Sequence, residues 1–379
     1  MTDLIHDALT YLVPFLAVLT ILVFVHEFGH FLVARWNGVR IEIFSIGFGP
    51  ELFGWYDRNG TRWKFSAVPL GGYVKMFGDS DPSSGFPTTP LSELPERERA
   101  VSFHGKRLGQ RVAIVTAGPA ANFLFAFLVL AVLFMTYGQP YTPPEVGQVE
   151  PGSAAAAAGF RAGDRIVSIN GQPIHSFEDV QQAVSLDPGL PMTVVVARDG
   201  RDLTLHATPR PAQETDRFGN KYKVWQLGIM RRGVDYVRRD PGTAILEAGA
   251  EVWNLSSATL RAGWQMLLGV RGTGELGGPL RIAQLSGEVV RGGPMAFFWF
   301  LAVLSINLGL INLFPIPVLD GGHLLFYAAE AVRGKPLGQK AQEYGFRIGL
   351  ALVLTLMVFA TWNDLVHLRI IAFVRGLIS

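Results

Sequence analysis

No cysteine occurs in the 379 residues, which removes disulfides, thiol catalysis and cysteine-ligated zinc or iron–sulfur centres together. Any metal here must sit on His, Asp or Glu. Charge is scarce as well. Lys, Arg, Asp and Glu make up 17% of the chain, against about 25% in an average soluble protein. Neither sign dominates: 33 basic and 31 acidic side chains leave a formal charge of +2, too little for the basic field that attracts nucleic acid. What remains is apolar. Hydrophobic residues are 49% of the chain and the mean hydropathy is +0.28, which excludes intrinsic disorder and argues against a purely soluble protein.

The apolar residues are clumped. Ala8 to Val25, Val112 to Tyr137, Pro294 to Leu319 and Ile348 to Trp362 carry no Lys, Arg, Asp or Glu. A span needs about 20 mostly apolar residues, so the first three qualify directly. The fourth is short, but Arg347 and Arg369 flank it and can snorkel to the two interfaces. Met1 to Asp7 holds two Asp and no Lys or Arg, the reverse of a secretory signal, so the first span is expected to stay in the mature protein.

Orientation follows from basic residues in short loops. Arg35 to Arg111 holds eleven Lys or Arg, and Arg333, Lys335, Lys340 and Arg347 crowd the loop before the fourth span. Both loops are therefore expected on the cytoplasmic side. Both termini and the long 138–293 segment then lie outside.

That outer segment carries a soluble pattern. Val146–Val149 reads as a strand, Ser153 opens a helix through Ala154–Ala158, and Gly159 ends it. Arg165–Ile169 is an apolar strand before the hairpin dipeptide Asn170-Gly171. Ser176 caps a second helix to about Ser185, and Met192–Arg198 and Asp202–Ala207 alternate across Asp199-Gly200. The order of elements and the stretch EPGSAAAAAGFRAGDRIVSINGQPI resemble a bacterial, circularly permuted PDZ domain, here in a single copy over 142–230.

The expected fold class is thus a polytopic α-helical membrane protein with four transmembrane helices, a membrane-associated β-rich loop and an extracytoplasmic α+β PDZ-like domain. Residues 1–38 form the first span, 39–110 the β-rich loop with an interfacial segment, and 111–138 the second span. After the 142–230 module come an amphipathic helix and a Gly-rich segment over 231–293. The third span covers 294–332, and 333–379 holds a cytoplasmic loop and the fourth.

Chemistry concentrates in His26-Glu27-Phe28-Gly29-His30, an H-E-x-x-H on the first span. Residues i and i+4 share a helix face, so both imidazoles can reach one cation, with Glu27 beside it to exchange a proton with water. The bland alternative is a His pair capping the helix at the interface, yet ionisable groups inside a bilayer are expensive and functional by default. Catalytic zinc takes three protein ligands and keeps an open position. The nearby loop offers Glu42, Glu51 and His104, none of them in a helical apolar context. The better third donor is Asp320, in Asn312-Leu313-Phe314-Pro315-Ile316-Pro317-Val318-Leu319-Asp320-Gly321-Gly322-His323 at the end of the third span. At about 1.5 Å per residue, both ligand sets arrive near the cytoplasmic side. Pro315 and Pro317 each remove a backbone N–H, and irregular backbone at membrane depth survives only beside protein or a water-filled cavity. Gly321-Gly322 would let the chain turn Asp320 toward the metal, unless Asp320 only caps a helix. His323 is either a supporting partner or an alternative ligand. Asn312 either bonds a freed carbonyl or holds substrate backbone.

These motifs resemble the site-2 protease family of intramembrane zinc metalloproteases, specifically the bacterial regulators of sigma-E-type proteases. The matching elements are HEFGH (26–30), FSIGFGP (44–50) with VPLGGYVKM (68–76), AGPAANF (117–123), the PDZ-like module and NLFPIPVLDGGH (312–323). The resemblance implies Zn²⁺ held by His26, His30 and Asp320, with Glu27 as general base. It implies cleavage within transmembrane segments of single-span proteins, such as trimmed anti-sigma factors or remnant signal peptides. It further implies that the strand-rich loop holds substrate by edge pairing, and that the PDZ-like module acts as a size filter or docks a trimmed C-terminus. Well-studied enterobacterial members carry two tandem PDZ copies, and this chain shows one. The competing expectation is a non-catalytic PDZ-bearing membrane adaptor or chaperone, which has no need of Glu27, both His and Asp320 together.

Overall fold

The computed structural model describes residues 2–78, 93–186, 189–215, 221–269 and 277–367. In chain order the elements are helix α1 (Thr2–Trp36), strands β1 (Ile41–Tyr56) and β2 (Arg62–Met76), and helices α2 (Glu96–Val101) and α3 (Leu108–Thr136). Then come β3 (Gln139–Tyr141), β4 (Val146–Val149), α4 (Ala154–Ala158), β5 (Arg165–Ile169), β6 (Gln172–Pro173), α5 (Phe177–Leu186), β7 (Met192–Arg198) and β8 (Arg201–Ala207). Strands β9 (Arg210–Thr215), β10 (Lys221–Gln226), β11 (Ile229–Arg231) and β12 (Asp235–Val237) follow. The chain closes with α6 (Pro241–Leu267), α7 (Pro279–Arg291), α8 (Pro294–Leu313), α9 (Asp320–Arg333) and α10 (Gln339–His367). It divides into two compact units, one of Met1–Leu133 with Gly242–Ser379 and one of Phe134–Pro241.

In the first unit, four of the described helices are long and apolar enough to cross a membrane: Thr10–Trp36, Leu108–Thr136, Pro294–Leu313 and Lys340–Leu365. Without water to satisfy them, the backbone N–H and C=O groups of a span must bond within it, which the helix does. Close crossings rest on small residues, as expected where lipid supplies no hydrophobic drive between helices. A Cβ on Gly29 of α1 would strike the Ala117 carbonyl of α3. On the other side of α3, a Cβ on Gly309 of α8 would sit 3.2 Å from the Pro119 carbonyl. The helix α3 is thus wedged between α1 and α8, and the buried Ser305 hydroxyl donates to the Asn122 carbonyl at 2.9 Å to hold it there.

The third span is interrupted at its two prolines, where irregular backbone is expected. Helix α8 stops at Leu313 and α9 starts afresh at Asp320, because Pro315 and Pro317 cannot donate to a helical ladder. The segment expected to be merely Gly-rich contains α7, whose Gly287 meets Tyr11 of α1. Arg369 and the 270–276 stretch of that segment lie outside the described residues. The β-rich loop is a ribbon of β1 and β2 in which residues 43–46 pair twice, with 72–75 on one side and 62–65 on the other. Gly47 (φ 90°) and Gly71 (φ 111°) make the bends this needs, backbone that only glycine adopts freely. Phe44 is fully buried in the ribbon's base with Phe31 of α1, whereas Leu52, Phe53 and Tyr56 at its far end are exposed.

In the second unit, β6-β5-β7-β8 form a four-stranded antiparallel sheet. Asn170 and Asp199 take positive φ of 50° in its two hairpin turns. Helices α4 and α5 bury Ala155, Val180 and Val184 with Ile166, Val194 and Val196 of the sheet. Ser153 caps α4, accepting from the Ala156 N–H at 3.1 Å. This unit is wider than 142–230, since β3 pairs with β12 beyond both ends. It also contains the β9–β10 hairpin, for which the sequence analysis has no element.

Candidate metal centre and active site

His26 and His30 lie one turn apart on α1, both 9% exposed. Their rings stand nearly perpendicular, with Nε2 atoms 3.3 Å apart. Asp320, in the first turn of α9, brings its Oδ2 to 3.2 Å from Nε2 of His26 and 3.5 Å from Nε2 of His30. One ligand atom from each of these three residues lies within 4.8 Å of the others, and they are the metal-ligand group found among the described residues. Glu42 instead pairs with Lys75 at 3.0 Å and Glu51 with Arg62. His104 and His323 fall outside the group too, although His323 lines the same cavity.

The turn between α8 and α9 delivers the carboxylate. Ile316 N–H donates to the Phe314 carbonyl at 2.7 Å and Leu319 N–H to the Ile316 carbonyl at 2.9 Å. Val318 takes φ 125°, a strained conformation for a β-branched residue and one found mostly at functional sites. Gly321 and Gly322 do not make the turn, contrary to expectation; both are already helical. Their role is space, since a Cβ on Gly321 would run into the Leu313 and Phe314 carbonyls and one on Gly322 into Pro317. Helix α10 crosses the same turn at Gly349, where a Cβ would strike the Pro317 carbonyl. At its other end, α9 is tied to α3 by an ion pair of Glu330 with Arg111, whose guanidinium also covers Tyr327.

Helix α3 forms the back of the centre. The Ile114 carbonyl accepts from His30 Nδ1 at 2.9 Å, and the wholly buried Asn122 places Nδ2 3.1 Å from His26 Nδ1. Between them Gly118 gives the rings room: a Cβ there would collide with the His30 ring and lie 2.8 Å from Cε1 of His26. Neither Gly118 nor Asn122 is singled out as a site residue in the sequence analysis. The available signal was an amide inside an apolar span, where polar groups are costly.

The residues fit a cation of zinc's preference. Two imidazole nitrogens and one carboxylate oxygen are a catalytic zinc donor set. Asp320 Oδ2 is buried with no hydrogen-bond partner, facing only the two nitrogens. The centre opens on a cavity of about 540 Å³ that Glu27, Gly72, Val74 and Asn312 also line. Glu27 is partly buried on α1, with the Val74 backbone of β2 at its carboxylate. Asn312, in the last turn of α8, holds its amide Nδ2 3.4 Å from His26 Nε2.

Two histidines and a carboxylate converging beside a glutamate at the wall of a cavity, among apolar helices, make the architecture of a membrane metalloprotease. The chain matches the model of Peptidase family M50 over residues 14–356, and it belongs to that family. A relative in Agrobacterium fabrum (strain C58) whose name includes the words zinc metalloprotease is 48% identical over 359 residues, covering 94% of this chain and 95% of its own. The metalloprotease MmpA of Caulobacter vibrioides is 40% identical over 391 residues, covering 97% of this chain and 98% of its own. The protein is accordingly a zinc metalloprotease with transmembrane helices. Among solved structures, the PDZ domain of an SdrC-like protein from Listeria innocua aligns at 18% identity with a TM-score of 0.20, over 25% of this chain and 98% of its own.

Proposed function

We propose that this protein is an intramembrane endopeptidase that hydrolyses peptide bonds within transmembrane segments of single-span proteins. The observation that carries the reading is the convergence of His26, His30 and Asp320 on one point, beside Glu27, at the wall of a cavity among the spans. His26, His30 and Asp320 are the residues that would hold zinc. When bound, zinc supplies a Lewis acid that polarises the scissile carbonyl and eases the loss of a proton from water. Glu27 takes that proton and returns it to the leaving amine. The Asn312 amide holds the substrate backbone or the developing oxyanion. A helical peptide bond is shielded, so the substrate must be extended before attack. The Gly72–Val74 segment of β2 at the cavity wall supports a pairing edge for such a strand.

In this reading the enzyme sits in a bacterial inner membrane, with its termini and PDZ-like unit outside and its centre toward the cytoplasm. The basic loops 35–111 and 333–347 support that orientation. Substrates are trimmed anti-sigma-factor-like proteins or remnant signal peptides, cut in regulated intramembrane proteolysis. A groove between α5 and β11, lined by Phe177, Gln181 and Met230, supports a docking role for the outer unit.

The test is to incubate the purified protein and its Glu27→Gln variant with a panel of truncated single-span proteins and map the products by mass. Products ending inside the apolar segment, made by the wild type alone, are expected. Binding without any product would favour the adaptor.

A further inference from the structure

The function proposed above uses two imidazoles, yet α3 treats them differently. His30 is settled: its Nδ1 donates to a main-chain carbonyl, so Nε2 keeps its lone pair for a ligand. His26 faces a side-chain amide instead. Asn122 is 0% exposed, its backbone is pinned by the Ser305 hydroxyl, and its Nδ2 lies 3.1 Å from His26 Nδ1. In this orientation the amide donates and His26 carries its proton on Nε2, 3.3 Å from Nε2 of His30. Such an imidazole cannot ligate through Nε2. Meanwhile Asn122 Oδ1 is buried with no hydrogen-bond partner. A half-turn of the amide brings that oxygen to Nδ1, where it accepts a proton and frees the Nε2 lone pair.

Resting on the zinc-centre reading, we infer that Asn122 is a positioning residue that selects the ligating tautomer of His26 by presenting its amide oxygen to Nδ1. Ligating histidines characteristically donate their second ring N–H to an acceptor, and losing that acceptor costs roughly 10- to 100-fold in metal affinity. The inference concerns acceptance alone, which an amide and a carboxylate share.

The experiment measures zinc affinity of the purified full chain by competition with a chromogenic chelator, for the wild type, Asn122→Ala and Asn122→Asp. Thermal unfolding of the metal-free forms checks that each is folded. Asn122→Ala is expected to bind roughly 10- to 100-fold more weakly, and Asn122→Asp, which can only accept, to stay within about threefold of the wild type. Wild-type affinity in Asn122→Ala, or a loss of tenfold or more in Asn122→Asp, overturns the inference. If the alanine variant does not fold, the aspartate variant decides alone. A wild type that binds no zinc overturns the centre itself and this inference with it, whereas zinc binding indifferent to residue 122 leaves the centre standing and removes only Asn122.

Discussion

His30 Nδ1 donates to the main-chain carbonyl of Ile114 at 2.9 Å, and that bond fixes which nitrogen of His30 faces Asp320. No side-chain substitution can delete a carbonyl of the backbone. The tautomer of His30 is therefore built into the packing of α1 on α3, and what disturbs that packing should disturb the centre.

Gly118→Ala tests this directly. The added methyl would occupy space now filled by the His30 ring, so the helices must separate or the ring must rotate. We expect a destabilisation of about 1–3 kcal/mol, the usual range for overpacking. Zinc affinity should fall although every donor atom is retained. Thermal unfolding and chelator competition on the same preparations read both effects, and an unchanged affinity would show that the ring has other room.

Glu27→Gln should separate binding from turnover. Glu27 lines the cavity but lies outside the ligand group, so zinc content measured by mass spectrometry should match the wild type. Cleavage should fall by about 10²- to 10⁴-fold, the range general acid–base catalysis supplies.

Asp320→Asn should do the reverse of leaving metal intact. The substitution keeps shape but replaces an anionic oxygen with a neutral amide in direct reach of both imidazoles. Because outer partners alone are worth about 10- to 100-fold, a direct donor should cost more than about 100-fold in affinity. Equilibrium dialysis with zinc measures it; wild-type metal content after the exchange would take Asp320 out of the ligand set.

The Phe134–Pro241 unit offers a pH-dependent prediction. Burial would raise the Asp164 carboxyl, but the two-pronged bond from Arg198 at 2.6 and 2.7 Å and the Arg161 N–H outweigh it and hold the group below its ordinary value. A lowered carboxyl contributes stability above about pH 4, its unfolded value, and loses it as pH falls through the folded value. Asp164→Asn should cost about 1–2 kcal/mol at neutral pH by weakening the charge-assisted bonds from Arg198, which stays partly solvated. It should also flatten the acid loss. Hydrogen exchange at Ile166 and Val196 in the full chain, at pH 7 and below pH 4, reports both.

Much of the centre was legible because its signals are local. An i, i+4 histidine pair on a charge-free run declares a shared helix face, and the 312–323 motif puts a carboxylate after two prolines at matching depth. The Ser153 cap and the Asn170-Gly171 turn were legible for the same reason. What escaped is relational. Asn122 looks like any polar interruption until α1 lies against it. Helix α7 has apolar residues at helical spacing (Ile282, Leu285, Val289), but glycines on both sides hide its ends. Asp364, on α10, is buried and accepts from Gly278 N–H at 2.9 Å and Arg281 N–H at 3.1 Å. It caps α7 from α10, and no window of sequence contains both partners.

The break at Leu313 separates Asp320 from the helix that precedes it, while both histidines ride on α1 at the opposite end of the polypeptide. A divalent ion gripped by all three would work as a clasp between the first and last parts of the chain. Whatever binds only the native form raises its apparent stability by mass action. Chelation should therefore do more than silence the enzyme: it should unfasten the bundle, lowering its melting temperature and opening the 313–320 turn to added proteases.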